Sequence, residues 1–231
     1  MVEDFVSPDY GWLQGKTTGT DGYSSARLYF CAGKIRDGYQ SNADIIAQVT
    51  KAMDILDADY PEEKHIFAFD NATVHTAHRG DALSATKMQV KPNTKFLCTV
   101  KTSDGTENQV QMRDGTFPDG SKQSLYFPDD HSEYPGWFKG MRVLIEEHHE
   151  KGAKIPDPST LKAQCTKFKC EKGKTDCCCH RILYNQPDFM NQKSYLEEVC
   201  EARGYEVIFF PKFHPELNCI EQCWGYAKRN Y

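Results

Sequence analysis

Asp70 is a residue whose type and position suit metal chemistry. It stands in the stretch FDNATVH, residues 69–75, directly after an apolar run at 65–69. In an open α/β sheet, functional groups gather beyond the carboxyl ends of the strands, so a carboxylate there can bind a divalent cation such as Mg²⁺. Aspartate and asparagine after a strand are also common turn residues. The turn and the metal ligand both stay open for Asp70.

Two acidic side chains near the end of the chain extend this chemistry. The stretch PKFHPELNCIEQCWGYAKR places Glu216 near the start of a predicted helix and Glu221 in its second turn. Carboxylates from different elements that converge on one crevice can bridge two Mg²⁺ ions about 4 Å apart, the arrangement that cleaves phosphodiester bonds. Glu216 also complements a helix dipole, and glutamate is a good helix former. A structural role is therefore the alternative for both residues.

A cysteine-rich stretch, CTKFKCEKGKTDCCCH at 165–180, forms a third group. Zinc prefers four thiolate or imidazole ligands in a tetrahedron. The candidate zinc ligands are Cys165, Cys170, Cys177, Cys178, Cys179 and His180. Because the spacing is not a pair of C-x2-C knuckles, structural zinc, free buried thiols and redox chemistry all remain open.

The same segment is basic, although the net charge of the chain is −5. Between 161 and 181, five lysines and one arginine outnumber Glu171 and Asp176. A basic loop stapled by zinc is suited to contact nucleic-acid phosphates, and a solvated run of charge is the alternative. The candidate nucleic-acid contacts are Lys167, Lys169, Lys172, Lys174, Arg181 and, on the last helix, Lys228.

Composition limits the class of protein. With 231 residues, 39% of them hydrophobic, the chain can build a sizeable core. No apolar stretch approaches the roughly 20 residues that a membrane helix needs, and the first residues lack the pattern of a secretory signal. Six of the ten cysteines lie between 165 and 200, which favours a reducing compartment and metal binding over a disulfide scaffold.

The elements that would position these residues read as an interrupted α/β fold. Strands at 2–6 and 26–31 are expected to pair antiparallel, and Asn42 is expected to N-cap a helix that ends before Pro61. The strand at 65–69 is nearly all apolar, as expected where both faces are covered. Short β-like pieces and a helix at 140–149 follow, and then a helix at 193–203, a strand at 206–210 and a helix at 216–228. The predicted domains are the first part of the core (1–89), an insertion (90–190) and the rest of the core (191–231).

The pair DNATVH and HPELNCIEQCWGYAK resembles the catalytic domain of DDE-type transposases of the mariner-like superfamily. In that family a strand ends in D-N-x-x-x-H and a later helix carries P-[ED]-L-N-x-I-E-x-x-W. Across essentially its whole length the chain looks like a fungal DDE-superfamily endonuclease, including DFVSPDYGWL, KAMDIL, YNQPDF and the cysteine block. The resemblance implies a ribonuclease H-like mixed sheet with flanking helices.

The resemblance also implies an activity, DNA cleavage and strand transfer with two Mg²⁺ or Mn²⁺ ions held by three carboxylates. By motif, Asp70 matches the second aspartate and Glu221 the third acid, whereas His75 and Trp224 match the motif histidine and the packing aromatic of the last helix. The implied partner is DNA, with a homodimer as the candidate assembly, no membrane association and a nuclear location.

One departure from the family affects activity. The family's first aspartate lies on a strand upstream of the one that 2–6 matches, so the chain is expected to be truncated and to lack that acid. Asp4 and Asp9 belong to another element and are not expected to replace it. Three hypotheses follow. The first is a DDE catalytic domain without its first aspartate, and the second is a catalytically inactive, transposon-derived DNA-binding or interaction protein. A partial gene product without function is the third.

Overall fold

The computed structural model describes residues 2–19, 22–31, 33, 35, 38–101 and 106–229. These residues form twelve short β-strands and six α-helices. The strands are β1 (Val2–Glu3), β2 (Val6–Ser7), β3 (Gly11–Trp12), β4 (Gln14–Gly19), β5 (Gly22–Ser25), β6 (Leu28–Tyr29), β7 (Ile66–Phe69), β8 (Cys98–Lys101), β9 (Glu107–Val110), β10 (Gly115–Thr116), β11 (Lys122–Gln123) and β12 (Glu206–Phe209). The helices are α1 (Asn42–Asp59), α2 (Met141–Glu150), α3 (Cys179–Tyr184), α4 (Pro187–Met190), α5 (Tyr195–Ala202) and α6 (Cys219–Arg229).

The chain divides into two compact units. The core unit comprises Met1–His78 and Lys193–Tyr231, and the insert unit comprises Arg79–Gln192. Mixed α/β architecture is confirmed. Among the described residues the strands pair two by two, and the ribonuclease H-like sheet stays a prediction. No helix in the described ranges combines the length and the apolar character needed to cross a bilayer.

The two strands near the N-terminus pair as predicted. β1 and β6 are antiparallel, with Val2 opposite Tyr29 and Glu3 opposite Leu28. An ion pair between Arg27 Nε and Asp4 Oδ2, at 2.6 Å, joins the same two segments just beyond the ladder. The carboxylate of Asp4 is only 1% exposed, so it is a buried structural partner.

Helix α1 begins one residue from the predicted cap. The N-cap is Ser41 and not Asn42, because Asp44 stands three residues beyond Ser41 and completes a capping box. The amide of Asn42 instead donates to the carbonyl of Val74 at 2.7 Å. The helix ends before Pro61 as predicted, and its apolar face is buried.

The prediction that both faces of β7 are covered is wrong. Phe67 is 7% exposed, whereas Ile66 on the opposite face is 51% exposed. In the described part of the chain β7 pairs only with β12, in parallel, and α1 and α5 contribute to the core cluster that contains Phe67. One face of this short parallel pair is therefore packed and the other is open.

The insert unit has its own core, centred on Phe138, Leu144, Ile145 and Leu183, all fully buried. Hairpins β8–β9 and β10–β11 surround it together with α2, α3 and α4. The predicted helix at 140–149 is confirmed as α2. The predicted helix at 193–203 is confirmed as α5 in the core unit, ending just before Gly204, which has a φ of +83°.

Candidate functional site

A cavity of about 990 Å³ lies in the core unit beside the carboxyl end of β7. This volume is at the upper end of the range of ligand pockets. The cavity brings together residues from the first strands, from the segment after β7 and from α6. Its polar lining includes Glu3, Asp4, Asp70, His75, Asn218, Glu221 and Lys228.

Asp70 follows β7 directly and uses one carboxylate oxygen to close the turn. Its Oδ1 accepts a hydrogen bond from the backbone N–H of Ala72 at 3.0 Å and another from His75 Nδ1 at 2.7 Å. The side chain is 48% exposed, and no hydrogen bond to Oδ2 is found among the described residues. Asp70 thus performs the turn chemistry and still presents a carboxylate to the cavity.

His75 is a partner of this carboxylate. Its side chain is 16% exposed, and its ring lies 5.1 Å from that of Phe69. Because an ionised carboxylate only accepts hydrogen bonds, Nδ1 of His75 carries the proton of this contact. His75 holds the Asp70 carboxylate in one orientation. Metal-ligating side chains are commonly oriented by an outer hydrogen-bonding partner of this kind.

Two further hydrogen bonds join β7 and β12 at their carboxyl ends. The N–H of Phe210 donates to the carbonyl of Phe69 at 2.8 Å, and the amide of Asn71 donates to the carbonyl of Phe210. The strand-end position of Asp70 is therefore held by both strands.

Glu221 reaches the cavity from α6. The single predicted helix at 216–228 is instead a short 3-10 turn, Pro215–Leu217, followed by α6, so Glu221 lies in the first turn of its helix. Its side chain is exposed, and its N–H donates to the carbonyl of Asn218 at 3.0 Å. The indole of Trp224 stacks on Trp12 with ring centroids 5.0 Å apart, which docks α6 beside the first strands.

Glu216 does not line the cavity. Its carboxylate Oε1 lies 2.7 Å from Nδ1 of His214, and this hydrogen bond lowers the pKa of Glu216. The structure therefore does not bring Glu216 to the cavity that Asp70 and Glu221 line.

Three more acids line the cavity, Glu3, Asp4 and Asp9, and the sequence reasoning missed Glu3. The carboxylate of Asp4 forms its ion pair with Arg27. Glu3 accepts from Gln40 with one oxygen, while its Oε1 is buried without a partner among the described residues. Burial, and after it the carboxylate of Asp44, raises the pKa of Glu3. No signal in the sequence marks this burial, because β1 is only two residues long and offers no alternation to follow.

The carboxylates do not form a preassembled two-ion site. Within the described ranges, no group of three or more His, Cys, Asp or Glu side chains around Asp70 has its ligand atoms within 4.8 Å of one another. Mg²⁺ demands near-ideal octahedral geometry and sheds its waters reluctantly. The cavity offers separate oxygen ligands and does not fit a pair of ions.

A compact group of sulfur ligands lies in the insert unit. Cys165, Cys170, Cys177 and Cys178 have Sγ atoms all within 4.8 Å of one another, so the group could bind a metal ion such as zinc. Partial burial, with the neighbouring Cys170 and Cys165 thiols, raises the pKa of Cys177 to about 12. The neutral form of Cys177 is therefore favoured while no cation is bound.

Two of the predicted zinc ligands lie outside this group. Cys179 begins α3 and is fully buried in the apolar core of the insert unit. His180 follows it in the helix, and its partial burial lowers its pKa. The turn into α3 therefore separates Cys178, which joins the sulfur group, from the next two residues.

The predicted nucleic-acid contacts fall into different settings. Lys167, Lys169 and Lys172 are exposed, and Lys174 forms an exposed ion pair with Glu171 at 2.7 Å. Arg181 is half-buried, and its guanidinium lowers the pKa of the nearby Cys170 thiol. Lys228 lines the cavity of the core unit.

The chain has no match among models of protein families, among curated proteins or among solved structures. The resemblance to DDE-type transposases therefore rests on the two sequence motifs.

Proposed function

We propose that the chain is the catalytic domain of a DDE-type transposase or endonuclease, with Asp70 and Glu221 as two of its metal-binding carboxylates. The observation that supports this function most is their meeting at one cavity. They belong to elements far apart in sequence, and Asp70 stands at the carboxyl end of a parallel strand, where such folds gather functional groups.

The ligand chemistry suggests two different ions for the two units. Carboxylate oxygens suit Mg²⁺ or Mn²⁺, whereas thiolates suit Zn²⁺. A divalent ion at Asp70 and Glu221 would contact a phosphate oxygen of DNA and supply Lewis-acid chemistry when bound. In this proposal the role of the chain is to hold the carboxylates in place, with His75 fixing Asp70 and the Trp12–Trp224 stack docking α6.

The motif acids Asp70 and Glu221 supply two carboxylates where the chemistry uses three, and within the described ranges no other cavity acid completes a ligand cluster around Asp70. Asp4 lines the cavity but is neutralised by Arg27, and two carboxylates carry too little charge to hold two divalent ions. Removing a principal charge-stabilising group costs about two to three orders of magnitude in rate. We therefore expect the chain to bind one ion weakly and to cut DNA below detection.

A DNA-binding assay with and without divalent ions tests this proposal. With a double-stranded oligonucleotide, Mn²⁺ should increase the affinity of the wild-type chain, and Asp70→Asn should remove the increase. Glu216→Gln, outside the cavity, is the matched control and should keep it. An affinity that does not respond to Mn²⁺, or responds equally in Asp70→Asn, would contradict the metal-site assignment.

The second candidate is a catalytically inactive DNA-binding protein derived from a transposon. It is favoured by the exposed lysines of the insert unit, and by the lack, within the described ranges, of three possible metal ligands clustered around Asp70. Under this alternative DNA binding depends on salt and on the lysines but not on Mn²⁺. The same assay separates the two functions.

A further inference from the structure

We propose that Cys165, Cys170, Cys177 and Cys178 bind one Zn²⁺ as thiolates, and that Arg181 is the positioning residue of this site. The proposal goes beyond the nuclease function and does not depend on it, because all five residues belong to the insert unit. It also changes the role of Arg181, which the sequence suggests as a contact to nucleic acid.

The spacing of the sulfur atoms fits tetrahedral zinc. With Zn–S bonds of about 2.3 Å, the sulfurs of a tetrahedron lie about 3.8 Å apart. The Sγ atoms of Cys165 and Cys177 are 3.6 Å apart, and all four Sγ atoms lie within 4.8 Å of one another. The four sulfur atoms are thus already close to the separations that tetrahedral zinc needs. A disulfide, at about 2.05 Å, is not formed, and all four cysteines are free.

Backbone contacts hold the segment that brings the ligands together. The N–H of Cys179 donates to the carbonyl of Lys162 at 3.0 Å, and that of His180 donates to Ala163 at 3.1 Å. These bonds keep the start of α3, and with it Cys178, against the chain that leads to Cys165. Between them the chain turns at Gly173, whose φ of +84° favours glycine.

Cys178 is a better fourth ligand than Cys179. Cys178 precedes α3 with an extended backbone, φ −166° and ψ 160°. The side chain of Cys179 belongs to the apolar core with Leu144 and Ile182. Ligation by Cys179 would withdraw a fully buried side chain from that core and leave a cavity.

Arg181 completes the site from outside the ligand set. Arg181 lies on α3 three residues after Cys178, which places its guanidinium beside the sulfur group and 5.7 Å from the centroid of the Tyr184 ring. Four thiolates around Zn²⁺ carry a net charge of −2, which an adjacent guanidinium offsets. Outer partners of this kind orient a ligand and tune metal affinity, and lysine does not reproduce the planar, stacked geometry of arginine.

Elemental analysis of the full chain, purified without chelator, tests the site directly. We expect about one zinc per chain for the wild type and for Cys179→Ala, and less than about a tenth of an equivalent for Cys178→Ala. Arg181→Ala should retain the site but weaken zinc by roughly ten- to a hundredfold in a chelator competition, with Arg181→Lys recovering only part of the loss.

A second measurement needs no variant and covers the case in which Cys178→Ala fails to fold. Alkylation of the native wild-type chain, read by mass spectrometry, should show Cys165, Cys170, Cys177 and Cys178 protected with zinc and reactive after chelation. The exposed Cys219 and Cys223 should react in both states. A zinc-free wild type, or loss of zinc in Cys179→Ala but not in Cys178→Ala, would overturn the proposal.

Discussion

The indole rings of Trp12 and Trp224 stack with centroids 5.0 Å apart and planes 25° from parallel. Trp12 lies on β3 and Trp224 on α6, a helix in which none of the described residues is buried. The stack is therefore a main contact between α6 and the rest of the core unit. Through it Glu221 reaches the cavity that Asp70 lines.

Trp224→Ala should release α6 without unfolding the core unit. An aromatic pair contributes about 0.5–1.5 kcal/mol beyond its area burial, a large share of what can hold a helix with no buried residue. Hydrogen exchange should rise over 219–229 and stay unchanged over α1. Cys223→Ala, on the same helix and exposed, is the control. Equal exchange in both variants would show that the stack does not dock α6.

His75→Ala should weaken a divalent ion at Asp70 although His75 is not proposed as a ligand. Loss of its 2.7 Å hydrogen bond frees the carboxylate to rotate, and outer partners of this kind contribute roughly ten- to a hundredfold to metal affinity. Electron paramagnetic resonance of Mn²⁺ measures the change. His214→Ala, which removes an exposed histidine outside the cavity, should leave the affinity as it is.

His148 should make the insert unit sensitive to acid. Burial lowers the pKa of His148 below its usual value of 6.5, although Asp188 and Glu147 offset part of this effect. In the unfolded chain the imidazole of His148 takes up a proton near pH 6.5, whereas in the folded chain it does so only at lower pH. The contribution of neutral His148 to the free energy of unfolding is therefore fully present above pH 6.5. It is lost as the pH falls from 6.5 toward the pKa of His148 in the folded chain.

Urea unfolding between pH 7 and pH 5 tests this dependence. His148→Gln is expected to lower stability at pH 7, because a packed ring beside Phe117 is lost, but to flatten the decline toward pH 5. His149→Gln, next in sequence and exposed, should keep the wild-type slope. A slope unchanged in His148→Gln would assign the acid sensitivity to other groups.

The exposed lysines of the insert unit should bind DNA through its phosphates. Lys169→Gln with Lys172→Gln should weaken binding to all duplex sequences alike and reduce the salt dependence by about one unit of log–log slope per lysine. Lys154→Gln is the control, an exposed lysine of the same unit outside the basic segment. Unchanged slopes would mean that the charge run is only solvated.

Much of the secondary structure could be predicted because its signals are local. The helical spacing of Ile45, Val49 and Met53 indicates α1, and the run before Asp70 indicates β7. The exposed face of β7 could not be predicted, because coverage depends on which strands pair with it. The sequence pattern places 79–89 in the core, whereas these residues lie in the insert unit, where Leu83 and Met88 join the buried cluster. No local signal in the sequence shows which of the two units contains this segment.

The candidate sites show the same limit. Motifs point to Asp70 and Glu221, but the spacing of the five cysteines between 165 and 179 cannot tell Cys178 from Cys179. That choice depends on where α3 begins and on which side chain the core takes. Glu3 was missed because a carboxylate in a short strand gives no sign of its burial until the facing elements are known.

A double-mutant cycle on Mn²⁺ binding tests the central claim, that Asp70 and Glu221 share one divalent ion. The affinities of the wild type, Asp70→Asn, Glu221→Gln and the double variant are compared, with Glu216→Gln as the control. If one ion contacts both carboxylates, each single variant weakens Mn²⁺ strongly, the double variant adds little more, and Glu216→Gln binds as the wild type does. Wild-type affinity in Glu221→Gln, or fully additive losses, would contradict the shared site.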